Sequence, residues 1–172
     1  MTSATSLTSR AGLYPWIEER SREAAEGIAQ LTAGYLSSMI ESLRRRDMAA
    51  LARLALCYAD AKLVSRDVIL EVCREVSESK GQGYAGSDDF LANFYRVASR
   101  EDIAADKVLA VYVWKHIDWL STYELTGKQH GAEGAGSRLA DIVLYAALGA
   151  AIQEREAGRQ LLGIMETKGG AA

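Results

Sequence analysis

Apolar positions along the chain recur at three- and four-residue steps, interrupted by short polar or glycine-containing breaks. That spacing places them on one face of an α-helix. Ile17, Ala24, Ile28, Leu31, Tyr35, Met39 and Leu43 form the first such face. The spacing predicts one helix from Pro15 to the basic run Arg44, Arg45 and Arg46. Pro15 suits a first turn, where its missing N–H costs nothing. Glu18 and Glu19 then stand near the positive end of the helix dipole and the arginines at the negative end. Asp47 can cap a second helix, with Leu51, Leu54, Cys57 and Tyr58 as its apolar stripe. A third is expected from about Arg66 to Ser79, with Val68, Ile69, Val72, Cys73 and Val76 turned inward.

The one clearly irregular segment runs from Lys80 to Asp89, with three glycines and a Ser-Asp-Asp cluster. It reads as a loop feeding a helix N-terminus. Phe90, Phe94 and Val97 make a short helix, and Ser99 with Asp102 has capping-box-like spacing. Residues 105–123 are apolar on most sides, which marks a buried helix. A glycine-containing connector, 124–136, leads to Ser137, a candidate cap for a last long helix that turns polar from Gln153. The fold expected is all-α, a single-domain helical bundle of about five to six helices. Residues 1–13 form a frayed N-terminal segment, 14–64 an N-terminal helical hairpin, 65–165 the helical core with the site, and 166–172 a tail.

Composition narrows this picture. A chain of 172 residues can bury one sizeable core. Its 49% apolar and 25% charged residues are those of an ordinary soluble domain, and a single proline favours long helices. A net charge of −3 gives no electrostatic reason to bind nucleic acid or an anionic membrane directly. No stretch reaches the roughly 18 uncharged residues of a membrane span, and the N-terminus lacks a signal-peptide pattern. A cytoplasmic location is expected. Cys57 and Cys73, the only cysteines, fall in helical patterns and read as small buried hydrophobes. No zinc-type spacing occurs.

The chemistry lies in charges set within the two most apolar segments. Lys115 and Asp118 share one helical face; His116 points about 100° away from Lys115. Arg138, Asp141 and Tyr145 form a stripe on the last helix. Charges in such segments are costly unless paired or functional. If the two helices pack antiparallel across the 124–136 connector, Lys115 and Asp118 can approach Arg138 and Asp141. One reading is a mutually satisfied ion-pair network that fixes helix register. The other is a polar pocket for an anionic small molecule, with Mg²⁺ on Asp118 and Asp141. Glu71, Glu75 and Glu78 form an acidic stripe that is either solvated or completes that metal site. The glycine loop can hold a phosphate on backbone N–H groups or serve as a plain connector. It is neither a Walker A sequence nor a dinucleotide fingerprint.

One further pattern adds to these. The run Lys80…Gly83-Tyr84-Ala85-Gly86-Ser87-Asp88-Asp89-Phe90…Asn93-Phe94 is followed by Lys115-His116-Ile117-Asp118 and Asp141-Ile142-Val143-Leu144-Tyr145. In that order it resembles the nucleotide-modification-associated domain proteins of phages and prophages. These are similar in outline to the MazG-like all-α nucleotide pyrophosphohydrolases. The resemblance covers about residues 78–152, and its Tyr-Ala-Gly…Asn-Phe piece is the most specific. It implies a MazG-like phage or prophage protein in the bacterial host cytoplasm. That protein would bind a nucleotide or a related phosphorylated small molecule between the third, fifth and sixth expected helices.

Lys80, Tyr84, Asn93, His116, Arg138 and Tyr145 would bind the substrate. Mg²⁺-dependent hydrolysis of a nucleoside triphosphate would use Lys115, Asp118 and Asp141 as catalytic residues. Asp118, Asp141 and Glu75 would hold the metal, and Lys115 and Arg138 would neutralise phosphate charge. The Glu-x-x-Glu and Glu-x-x-Asp motifs of the MazG-like enzymes are altered here. Glu71 and Glu75 are four apart, and Arg138 stands three residues before Asp141. The competing expectation is a non-catalytic helical interaction protein acting on a host or phage protein. A homo-oligomer is expected in either case.

Overall fold

Between Leu139 and Ile152 the sequence has one charged side chain, Asp141, so a helix there has almost no face to offer water. The rest of the fold encloses it. The structure, a computed structural model, describes the backbone of residues 12–25, 32–79, 89–129, 131 and 133–169, and side chains at 12–21, 34–77, 89–129, 131 and 133–160. It is all-helical. Seven helices occur among the described residues, more than the five to six expected: α1 (Leu13–Ala25), α2 (Thr32–Arg45), α3 (Met48–Ala61), α4 (Arg66–Ser79), α5 (Ala92–Glu101), α6 (Ala105–Thr126) and α7 (Ala135–Gly169).

α7 packs against α1, α3, α4 and α6; α3 also carries α2, and α6 carries α5. Leu139, Ile142, Val143, Ala146, Ala147, Ala151 and Ile152 are buried around the circumference of α7. They form one contiguous core with Leu51, Ala55 and Leu56 of α3 and Ile17 of α1, so residues 14–64 share the core of the later helices. Gly149 marks the closest approach. A Cβ there would stand 2.7 Å from Met48 Sδ of α3 and 3.3 Å from Leu109 Cδ2 of α6. By length and composition Ala135–Gln160 would also suit a bilayer span, with mean hydropathy 1.4, yet half of that stretch is buried inside the bundle. A core helix meets the same criterion. Counting uncharged runs overlooks it because Asp141 interrupts the run.

Several expected boundaries hold. Asp47 caps α3, its Oδ1 accepting from Ala50 N at 2.9 Å. α4 spans Arg66–Ser79 as its periodicity predicts. Others change. The single helix read from Pro15 to Arg46 is two, α1 and α2; their unbroken spacing hides that α1 packs on α3, α4 and α7 whereas α2 packs on α3 and α6. Val68 faces water rather than the core. Ser99 lies inside α5 and Asp102 closes it at its C-terminal end, so the two form no N-terminal capping box; the residue before α6 is Ala104, with no side-chain cap. Ser137 falls in the first turn of α7, which begins at Ala135.

Helix ends explain part of this. A helix commonly closes on a left-handed residue, usually glycine. Here α2, α3 and α5 close on Arg46 (φ 60°), Leu63 (φ 56°) and Asp102 (φ 51°); among the described helix ends, α6 alone closes on a glycine, Gly127 (φ 62°). After α3, Val64 N donates to Ala59 O at 2.9 Å and Leu63 N to Asp60 O at 3.0 Å, a Schellman closure with a leucine where glycine is the rule. Left-handed backbone costs an L-residue roughly 1–2 kcal/mol. The Leu63 side chain is 95% exposed and offsets none of this by packing. Leu63→Gly should therefore stabilise the fold by about 1 kcal/mol, raising the melting temperature by roughly 2–4 °C. A thermal melt showing destabilisation would contradict this account of the turn.

Candidate functional site

Which face of α6 meets α7 decides which polar residues converge. Tyr112, His116, Trp119 and Tyr123 lie at i, i+4, i+7 and i+11, a single stripe. That stripe faces α7. Tyr112 stacks on Tyr145 with centroids 5.6 Å apart, His116 is tilted on Tyr145 at 5.8 Å, and the Arg138 guanidinium lies 5.6 Å from the Trp119 ring. Partners descend on α7 as positions ascend on α6, so the two helices are antiparallel, as the short connector requires. Phe94 of α5 meets the Tyr112 ring edge-on at 6.1 Å, with half-buried Asn93 beside it.

The centre of the cluster is Asp141. His116 Nδ1 stands 3.4 Å from Asp141 Oδ2. Cys73 of α4, also buried, donates from Sγ to Ala140 O at 3.5 Å and feels the Asp141 charge. Groups from α4, α6 and α7 therefore meet at one half-buried carboxylate. His116 is 2% exposed. Burial, and then the Lys115 and Arg138 charges, push its pKa down to about 4. It is a neutral imidazole at pH 7, so its approach to Asp141 is not an ion pair. Neither of its ring nitrogens has a hydrogen-bond partner, and Arg138 Nε is buried in the same condition. Burial and Asp141 push the Cys73 thiol up to about 12. A nucleophilic cysteine–histidine pair needs the thiol lowered and the imidazole charged. The shifts here run the other way, so Cys73 and His116 are not such a pair.

Among the residues singled out from the sequence, the structure brings together His116, Arg138, Asp141 and Tyr145. Lys115 and Asp118 do not join them. They lie on the solvent face of α6, and the expected approach to Asp141 is made by His116 instead. Arg138 pairs with Glu133 at 3.0 Å. Glu75 is exposed on α4, about 200° around the helix from inward-facing Cys73. The three carboxylates read as metal ligands, Asp118, Asp141 and Glu75, thus stand on separate faces. Among the described residues no group of three His, Cys, Asp or Glu side chains is placed to hold a metal. Lys80 and Tyr84 lie outside the described residues. Tyr112, Trp119 and Cys73 belong to the cluster but read from sequence as core. The signal that finds the first two is the aromatic i, i+4, i+7 stripe around His116.

A separate cavity of about 490 Å³ lies between α5, the turn after it and the outer half of α7. Asp102, Asp106 and Glu156 line it with Tyr95 and Ile152. Tyr95 Oη donates to Glu156 at 2.7 Å, and Arg46 pairs with Asp106. Its carboxylates disfavour a phosphate. Comparison of the chain with protein-family models, with curated proteins and with solved structures finds no match.

Acid titration reports on His116 directly. The unfolded chain protonates this histidine below about pH 6.5, the folded chain only near pH 4. The native state therefore binds fewer protons between these values. Stability from neutral His116 is full above about pH 6.5 and is lost as the pH falls toward 4. Going from about pH 7 to about pH 5 should cost on the order of 1–2 kcal/mol from this group. Urea midpoints against pH should show this slope, and His116→Phe should flatten it. An equal slope in both chains would mean that His116 is not buried neutral.

Proposed function

We propose that the chain binds a nucleotide or a related phosphorylated small molecule at the α4–α6–α7 junction. The observation that carries this is the convergence of Asp141, Arg138, His116 and Tyr145 beside the stacked Tyr112–Tyr145 pair. Aromatic faces accept a nucleobase by stacking, at roughly 1–3 kcal/mol per base. A guanidinium matches phosphate oxygens in a bidentate way, and Arg138 lies over the Trp119 ring and pairs with exposed Glu133. The donors and acceptors left unpaired on His116 and Arg138 would gain partners in a ligand.

Mg²⁺ commonly keeps several waters and needs only one or two carboxylates when a substrate phosphate completes its shell. Asp141 would be that carboxylate. Asp118 and Glu75 do not join it where they stand, so no site of several carboxylates is formed. A second reading, a non-catalytic interaction protein, is favoured by Leu63 and Leu125, exposed where α3 and α6 end and linked by the Lys62–Glu124 pair at 2.6 Å.

Thermal shift with a nucleotide panel, with and without Mg²⁺, tests the proposal. A ligand at about one hundred times its Kd should stabilise the fold by roughly 2.7 kcal/mol, several degrees in melting temperature. Asp141→Asn should remove the shift and leave the fold intact. If no nucleotide moves the wild-type melt, the proposal fails.

A further inference from the structure

One face of α6 has no partner. Lys107, Val111, Lys115, Asp118, Thr122 and Leu125 follow at steps of four, four, three, four and three, and all are exposed. Val111 is 66% and Leu125 87% exposed. Among the described residues the side chains of Lys115 and Asp118 make no hydrogen bond or ion pair, although they stand one turn apart on a helix. Half-buried Trp114 flanks the stripe on one side and Trp119 on the other. The helix is thus amphipathic toward its own fold and keeps a mixed apolar and charged face outward.

That face is complementary to itself. In an antiparallel pair with the two-fold axis between positions 116 and 117, Lys115 lies opposite the partner's Asp118, and Asp118 opposite the partner's Lys115. Val111 lies opposite the partner's Thr122. The Lys107 stem falls within one residue of the partner's Leu125, where its methylenes can cover the leucine. A parallel arrangement would instead set like charges together. A two-fold interface repeats every contact, so one charge pair becomes two and each exposed apolar residue is covered in both copies. Antiparallel helices at an interaxial distance of about 8–10 Å are an ordinary packing geometry.

We infer that the exposed face of α6 is the surface on which a second copy of this chain docks, forming an antiparallel two-fold dimer registered by reciprocal Lys115–Asp118 pairs. The occupant is a second copy because the charge order reverses onto itself about the axis, a property that a foreign partner does not require. The charges first read as misplaced within an apolar helix then serve assembly. The dimer leaves the α4–α6–α7 junction on the other side of α6, so this inference does not depend on ligand binding there.

Sedimentation equilibrium of the full chain tests it. The wild type should sediment as a dimer of the 18.7 kDa chain at micromolar concentration. Lys115→Asp and Asp118→Lys should each weaken the dimer by at least about tenfold, since each replaces two attractions with two repulsions. The double exchange, Lys115→Asp with Asp118→Lys, should restore the wild-type association. Far-UV circular dichroism of the single variants should match the wild type, because both side chains stand in solvent. A wild type that stays monomeric overturns the inference. So does a dimer indifferent to the single substitutions, or a double exchange that fails to recover.

Discussion

The absence of a polar side on α7 from Leu139 to Ile152 sets the rest of the structure. A helix of that kind must be surrounded, and four helices do so. Burying a Leu or Ile side chain contributes about 1.5–3 kcal/mol, and the alanines among them act differently. They contribute little area of their own but let neighbouring backbones come close, as Gly149 does against Met48. The single charge in the stretch, Asp141, is tolerated because its carboxylate reaches the edge of the core, with its side chain 37% exposed. A protonated His116 or an ionised Cys73 would each change that balance.

The sequence makes most of the helical framework legible. Spacing finds α3, α4, α6 and α7, and Asp47 marks the start of α3. What it misplaces is the face. Lys115 and Asp118 attract attention because a charge in an apolar helix is expensive to bury. The chain avoids the expense by turning that face outward. Val111 and Leu125, exposed on the same side, make α6 look apolar all round and so conceal its orientation. The stripe that does face α7 is aromatic and reads as ordinary core. The boundaries fail where the usual punctuation is missing: nothing in Leu63 or Asp102 announces a left-handed helix end.

The cluster around Asp141 sets a carboxylate beside a neutral imidazole and a protonated thiol, with the Arg138 guanidinium close by. In such surroundings an unmade hydrogen bond costs about 1–3 kcal/mol, and His116 and Arg138 carry three such atoms between them. A fold selected for stability alone would fill these positions with apolar groups. Retaining them concentrates unsatisfied polarity at the junction of three helices rather than spreading it over the surface. Lys115 and Asp118 on the outer face of α6 are the opposite case, exposed on the single chain and cheap to keep there.

Three of the helix ends rest on residues that disfavour the conformation they adopt. Such corners have little intrinsic tendency to form. They hold because the helices on either side are docked, and each docked helix needs the corner to reach its place. Local structure at these points is therefore a product of the assembled core and not a seed for it. A short piece of the chain containing Arg46 or Leu63 has no local reason to turn there. Loss of packing around α7 releases the corners along with it, which makes unfolding more nearly all-or-none than a bundle of independently capped helices would show.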